Sequence, residues 1–304
     1  MSSRMLDLRP AQLVGLRGRE LIESIRTSEG RTVACEVVCP VMPLLYDVTN
    51  AELAAAFGAD MIILNLYDVS EPHIFAVKPE NGETVIQKLI RLTGRPVGVN
   101  LEPVDPESEV SGGRAAVEKG RTATRENARL VYDQGAALII LTGNPKTGVT
   151  KGSILKAIRE IRAELSGSIV LAAGKMHGAG IGTEMGERIM SGEDVESFIE
   201  AGADIILVPA PGTVPGITVE FVKSFADIVH KKGAMLMTTI GTSQEGADIS
   251  TIRSIALNCK MAGADIHHIG DAGYTGIAVP ENITAYSIVI RGIRHTYRRM
   301  AMKE

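Results

Sequence analysis

No stretch of about eighteen consecutive apolar residues occurs in the chain, so no segment is long enough to cross a bilayer as a helix. The opening residues, MSSRMLDLRPAQ, lack the apolar core of a secretory signal, and the protein is expected in the cytoplasm with no membrane partner. Cysteine is scarce. Cys35, Cys39 and Cys259 are odd in number and show no C-x-x-C spacing, which argues against a disulfide framework or a structural zinc site and leaves them as small buried apolar side chains. A basic stripe is missing as well. The net charge is -4, and the one basic cluster, Arg291, Arg294, Arg298 and Arg299, falls in a C-terminal helical segment expected to end on the surface, so nucleic acid is not an expected partner. Linkers and low-complexity tracts are also absent, and the 304 residues read as one domain, with 1–29 as an N-terminal helical extension.

What is present is a repeat. GADMIIL from Gly58, GAALIIL from Gly135, GADIILV from Gly202 and GADIHHI from Gly263 each open an apolar run. A second series, GRTVACEVV from Gly30, GRPVGVNLE from Gly94, GSIVLAAGK from Gly167 and GAMLMTTIG from Gly233, lies halfway between them. Segments with apolar residues at helical spacing, such as ETVIQKLIRL and SILKAIREIRAEL, separate the runs. Strict alternation of strands and helices implies a parallel sheet, and eight near-continuous Val, Ile and Leu strands favour closure into a (β/α)8 TIM barrel over an open doubly wound sheet. The glycines are then helix ends in the left-handed conformation. AQLVGLRGRELIESIRTSEG, ahead of the first strand, is expected to close the bottom.

Strand side chains alternate between faces, so residues at equal offset from the repeated glycine share a face. The polar offsets gather Glu36, Asn65, Asn100, Glu102, Thr142, Lys175, Thr239 and His268, all near the C-terminal ends of their strands, where such barrels carry their chemistry. A hydrogen-bonded polar layer that only fills the barrel is the plainer explanation for any single member; convergence of eight favours a site. His267, adjacent to His268, must face the helices instead.

Two loops rich in glycine follow the last strands: GTSQEG (241–246) and GDAGYTG (270–276). Glycines let backbone N–H groups approach an anion, so Gly241, Thr242, Ser243, Gly270, Gly273, Thr275 and Gly276 are expected to cradle a phosphate. Asp271 fits a phosphate poorly; it either caps a turn or binds a sugar hydroxyl. PVDPESEVSGGRAAVEKGRTAT and KMHGAGIGTEMGERIMSGED are long enough to be lids, and Lys146 and Lys151 either pair with an acidic ligand or are solvated.

GAALIILTGNPKTGVTKGSILKAIREIR (135–162), a strand, a TG-x-x-x-TG turn and a helix, resembles the corresponding unit of BtpA-like barrels. In its order of elements the chain also resembles the ribulose-phosphate-binding and phosphoenolpyruvate-mutase-like barrels. That resemblance implies a phosphorylated small molecule in the mouth. The chain lacks the paired-aspartate metal motif and the cysteine-bearing loop of the mutases, which argues against carbon–phosphorus or isocitrate-type chemistry.

Three readings follow. In the first, an isomerase, epimerase or lyase abstracts a proton beside a carbonyl of a phosphorylated sugar or acid, without a required cofactor. Glu36 or Glu102 is the base, His268 the second acid/base, and Lys175 either polarises the carbonyl or forms a Schiff base; Asn65, Asn100, Thr142, Thr239 and Asp271 hold substrate. In the second, Glu36, Glu102 and His268 bind Mg or Mn. In the third, the barrel senses a metabolite without converting it. A homo-oligomer is expected in each.

Overall fold

The computed structural model describes residues 3–107, 115–178, 185–271 and 275–302. Its centre is a closed barrel of eight parallel strands in sequential order: β1 (Thr32–Val38), β2 (Met61–Asn65), β3 (Val97–Leu101), β4 (Leu138–Leu141), β5 (Val170–Gly174), β6 (Ile205–Pro209), β7 (Met235–Ile240) and β8 (Ile266–Ile269), with β8 pairing back onto β1. Before β1 come α1 (Pro10–Leu13) and α2 (Gly18–Arg26). Between strands run α3 (Asn50–Ala56), α4 (Val85–Thr93), α5 (Arg125–Asp133), α6 (Lys151–Leu165), α7 (Gly192–Ala201), α8 (Val219–Lys231) and α9 (Ile249–Met261), and α10 (Pro280–Ala301) follows β8.

Each helix between strands starts for the same local reason. Thr49, Thr84, Thr124, Thr150, Ser191, Thr218 and Asp248 accept a backbone N–H of the first turn of α3 to α9 through their side-chain oxygens, satisfying donors that the helix itself cannot. α10 begins on Pro280, whose fixed φ suits a first position, and breaks at Gly292, where φ is 75° and ψ 164°.

Two apolar layers result. The outer joins strands to helices; the inner gathers Ala34, Met61, Ile63, Leu138, Ile140, Ala172, Leu207, Met237 and Ile266 inside the barrel, with Leu13, Leu21 and Ile25 of the N-terminal helices closing the bottom, as expected. Burying each of those three large side chains contributes about 1.5–3 kcal/mol.

Strand β5 corrects the offset rule. Counting from Gly167 puts Ala173 and Lys175 on the inward face, but Ala172 joins the inner layer and Ala173 the outer one. The left-handed residue at the end of α6 is Ser166 (φ 51°), one position before the glycine. Counted from Ser166, the same offset that selects Glu36 from Gly30 and Asn100 from Gly94 selects Ala172.

Two members of the basic C-terminal cluster are a second correction, while Arg294 and Arg298 are exposed as expected. Arg291 and Arg299 are buried, both paired with Asp60, which also accepts the Val33 N–H at 2.8 Å. They also donate to the carbonyls of Gly58, Leu8 and Met5 and to Ser287 Oγ, so the two tie the C-terminal helix to the barrel and to the N-terminus. No described helix is long and apolar enough to cross a membrane.

Candidate functional site

A cavity of about 370 Å³ opens at the C-terminal ends of the strands. Glu36, Asn65, Asn100, Glu102, Thr142, Gly241, His268, Gly270 and Asp271 all line it, so most of the residues that the alternation rule selected do meet.

Its centre is a buried pair. Nε2 of His268, from β8, lies 2.7 Å from Oε2 of Glu36, from β1, and neither side chain is more than 9% exposed. Burial raises the Glu36 carboxyl above the ordinary carboxylate range; the His268 contact opposes this, and the nearby Asp271 adds to it. On the other side of the imidazole, Nδ1 is buried and has no hydrogen-bond partner among the described residues. Asp271 is oriented by β2: Nδ2 of Asn65 donates to its Oδ2 at 2.9 Å.

The next wall is built around Glu102. The segment after the strand folds back along it, with the Glu102 N–H donating to the Arg121 carbonyl at 2.8 Å and the Ala123 N–H to the Glu102 carbonyl at 2.9 Å. That return sets Arg121 against Oε1 of Glu102, while Thr147 Oγ1 donates to Oε2 at 3.0 Å. Gly143 is needed here, because a Cβ would stand 3.1 Å from Glu102 Oε2 and 2.8 Å from a Val149 methyl. Asn100 Nδ2 donates to the carbonyls of Ile140 (3.1 Å) and Thr142 (3.2 Å), holding the end of β4.

Glu245 was not singled out from the sequence, although it stands in the GTSQEG loop. It is 4% exposed and lines the cavity, and its Oε2 has no partner among the described residues. Burial raises its carboxyl too, with Asp271 adding to the shift. Its turn is rigidly held: buried Asn282 donates to the carbonyls of Glu245 (2.9 Å) and Ala247 (2.8 Å). Arg121 and Thr147 were also missed. All three lie beyond strand ends, where no periodicity says which way a side chain points.

Other expected members are placed differently. Lys175 is 1% exposed and is not among the lining residues; it stands close enough to His177 that its charge, after burial as the larger cause, lowers that imidazole's pKa. Thr239 is fully buried and donates to the Val208 carbonyl at 3.0 Å. Lys151 pairs with Asp194 at 2.8 Å. His267 faces outward between Tyr286 and the Gly30 carbonyl, and burial lowers its pKa to about 4.

Gly241 and Gly270 of the glycine-rich loops line the cavity, and several of the other members make contacts within the fold. Thr275 Oγ1 donates to the Ile277 carbonyl at 2.9 Å, and a Cβ at Gly276 would lie 2.2 Å from a Val41 methyl, so that glycine serves chain packing. A Cβ at Gly270 would lie 2.4 Å from the Ile240 carbonyl oxygen, another packing constraint. Ser243 takes a left-handed φ of 77° at the turn start and lines neither this cavity nor its neighbour, whereas Thr242 lines the neighbour. Gly273 and the centres of both lid segments, 108–114 and 179–184, lie outside the described residues.

Among the described residues no three His, Cys, Asp or Glu side chains stand together in a way that can hold a metal ion. Glu102 is held by Arg121 and Thr147, while Glu36 pairs with His268.

Over 89 residues the chain is 34% identical to a putative N-acetylmannosamine-6-phosphate 2-epimerase of Haemophilus influenzae, covering 29% of this chain and only 33% of that protein. Its fold is similar to that of a putative fructose-1,6-bisphosphate aldolase from Coccidioides immitis, with a TM-score of 0.54 and 16% identity over 94% of this chain and 98% of the other. A Schiff-base-forming fructose-1,6-bisphosphate aldolase gives a TM-score of 0.55 at 13% identity, over 86% and 95%. At these identities the two aldolases share the barrel and nothing finer. Residues 6–304 match the family described as Domain of unknown function (DUF7916), and the chain belongs to that family.

Proposed function

We propose that the protein is an isomerase, epimerase or lyase that removes a proton from carbon beside a carbonyl in a small phosphorylated sugar or acid. The observation that carries this reading is the buried contact between Glu36 and His268 in the cavity wall. A carboxylate that accepts Nε2–H fixes the imidazole tautomer and leaves a lone pair on Nδ1. Nδ1, which has no partner among the described residues, takes the substrate proton, and Glu36 stabilises the imidazolium that forms. The electron pair of the broken C–H bond moves to the carbonyl oxygen.

That oxygen needs a proton or a donor. Glu245, kept toward its neutral form by burial, supplies one from the adjoining wall, and the two carboxyl environments thereby divide into a base-orienting and an acid role. Glu102, Asn65 and Asp271 offer acceptors and donors to substrate hydroxyls. Lys175, buried and away from the lining, acts through its charge, and a Schiff base on it is not favoured. The partial similarity to a protein named as a 2-epimerase of a phosphorylated amino sugar supports the same class, since epimerisation beside a carbonyl is proton removal and return.

The test is deuterium exchange. The protein is incubated in D2O with N-acetylmannosamine-6-phosphate, fructose-1,6-bisphosphate and a panel of related phosphosugars, and loss of the C–H signal is followed by NMR. Exchange that Glu36→Gln slows at least a hundredfold is expected. Binding without any exchange across the panel points to a sensing barrel and overturns the reading. A metal-dependent variant is excluded when exchange is unchanged by chelation and by added Mn.

A further inference from the structure

The carboxylates that suit the first cavity to a hydroxyl-rich carbonyl compound make it a poor place for a phosphate. Glu36, Glu102, Glu245 and Asp271 all line it, and its guanidinium, Arg121, is paired with Glu102 and Glu118. Like charges a few ångströms apart repel strongly where water is excluded. A phosphorylated substrate needs its anion elsewhere.

A second cavity, of about 740 Å³, opens beside the first and shares Asn144, His177 and Gly241 with it. Its walls come from the segments after β4, β5, β6 and β7, and no aspartate or glutamate is among its described lining residues. Lys146 lines it. So does Gln244, whose side-chain amide contacts Thr242 Oγ1, a hydroxyl that also donates to the Thr213 carbonyl at 3.0 Å. His177 stands at the junction, where burial and then the neighbouring Lys175 charge lower its pKa.

The turn carrying Lys146 is pinned to both cavities. The Lys146 N–H donates to Asn144 Oδ1 at 2.9 Å and its carbonyl accepts from the Ala115 N–H at 3.0 Å, while the next residue, Thr147, bonds Glu102 in the first cavity. A ligand spanning the two spaces therefore meets a carboxylate-lined end and an end with no acidic side chain among the described residues.

We propose that the second cavity is the site of a phosphate monoester, bound by Lys146 and the Gln244 amide, with the reacting carbon held in the first cavity. This rests on the reading of the substrate as phosphorylated. It moves the anion off the β8 loop, where Gly270, Thr275 and Gly276 are engaged in packing, and keeps the β7 loop, through Gln244, beside the segments after β4 to β6.

The experiment measures affinity by calorimetry for inorganic phosphate, N-acetylmannosamine-6-phosphate and N-acetylmannosamine, on the full chain, Lys146→Met and Thr275→Val. Lys146 is exposed, so its variant keeps the fold. Lys146→Met is expected to weaken both phosphate compounds about tenfold, the loss typical of one charge-assisted contact, and to leave N-acetylmannosamine unchanged. Thr275→Val is expected to change nothing. Failure of the parent to bind either phosphate compound, equal affinity in Lys146→Met, or a loss seen only in Thr275→Val each overturns the proposal. Deuterium exchange separates the two claims: exchange in the parent with phosphate binding indifferent to Lys146 leaves the reaction standing and removes the anion site. Lys146-dependent phosphate binding without exchange does the reverse.

Discussion

Buried charge occurs at both ends of this barrel, and the two ends treat it in opposite ways. On the N-terminal side, Asp60 accepts from Arg291, Arg299 and the Val33 N–H, and the two guanidiniums also donate to backbone carbonyls and to Ser287 Oγ. Every bond closes within the fold, and the arginines hold the Asp60 carboxyl below its ordinary range although burial opposes them. At the mouth, Glu36 and Glu245 are pushed the other way, and His268 Nδ1 and Glu245 Oε2 have no partner among the described residues. A buried charge whose bonds are complete is architecture. One whose bonds are incomplete is held for something the protein does not itself supply.

Substitutions sharpen that contrast. The largest effect belongs to Glu36→Gln, which reverses the hydrogen bond that orients His268; exchange should fall about 10²–10⁴-fold with the thermal midpoint nearly unchanged. Exchange near the parent rate would break the comparison at its centre. Asp60→Ala should do the opposite, costing about 3–5 kcal/mol in a urea titration because two guanidiniums are left buried without a counter-charge, while the folded fraction keeps its affinity for phosphate compounds.

The pH dependences should also differ in sign. Glu245 has its folded pKa raised above the ordinary value of 4.5, so its contribution to stability is complete below that value and is lost as pH rises through the folded pKa. Glu245→Gln should therefore raise the midpoint more at pH 8 than at pH 4, by about 1 kcal/mol at most, and lower turnover. Asp60, depressed from 3.8, contributes above that value and loses its contribution as pH falls through the folded pKa. The deficit of an Asp60→Asn variant should accordingly shrink in acid. Parallel pH profiles for the two variants would erase the distinction. The smallest effect is expected from Thr147→Val, which removes one acceptor-orienting bond to Glu102; KM should rise a fewfold, about 1 kcal/mol, with kcat unchanged.

Much of this was legible in the chain itself. The repeated glycines mark helix ends because a left-handed residue is needed there, and period-two alternation then selects the inward face. That reasoning reaches Glu36, Asn65, Asn100, Glu102, Thr142 and His268, all of which line the cavity. It misplaces Ala173 because Ser166 takes the left-handed position one residue before Gly167. It passes over Arg121, Thr147 and Glu245 because loops carry no period. Arg291 and Arg299 read as a surface cluster because their counter-charge, Asp60, is more than two hundred residues away in the chain.

Local chemistry thus determined the closed barrel, its floor and most of its mouth: caps, left-handed helix ends and alternation each act within a few residues. Only the tertiary structure decided which carboxylates are left unsatisfied, which glycines pack against neighbouring chain, and that a cavity free of described acidic residues adjoins an acidic one. Those properties depend on which groups come within hydrogen-bonding distance across the barrel, and burial and Coulomb effects are set by that distance, whatever the separation along the chain.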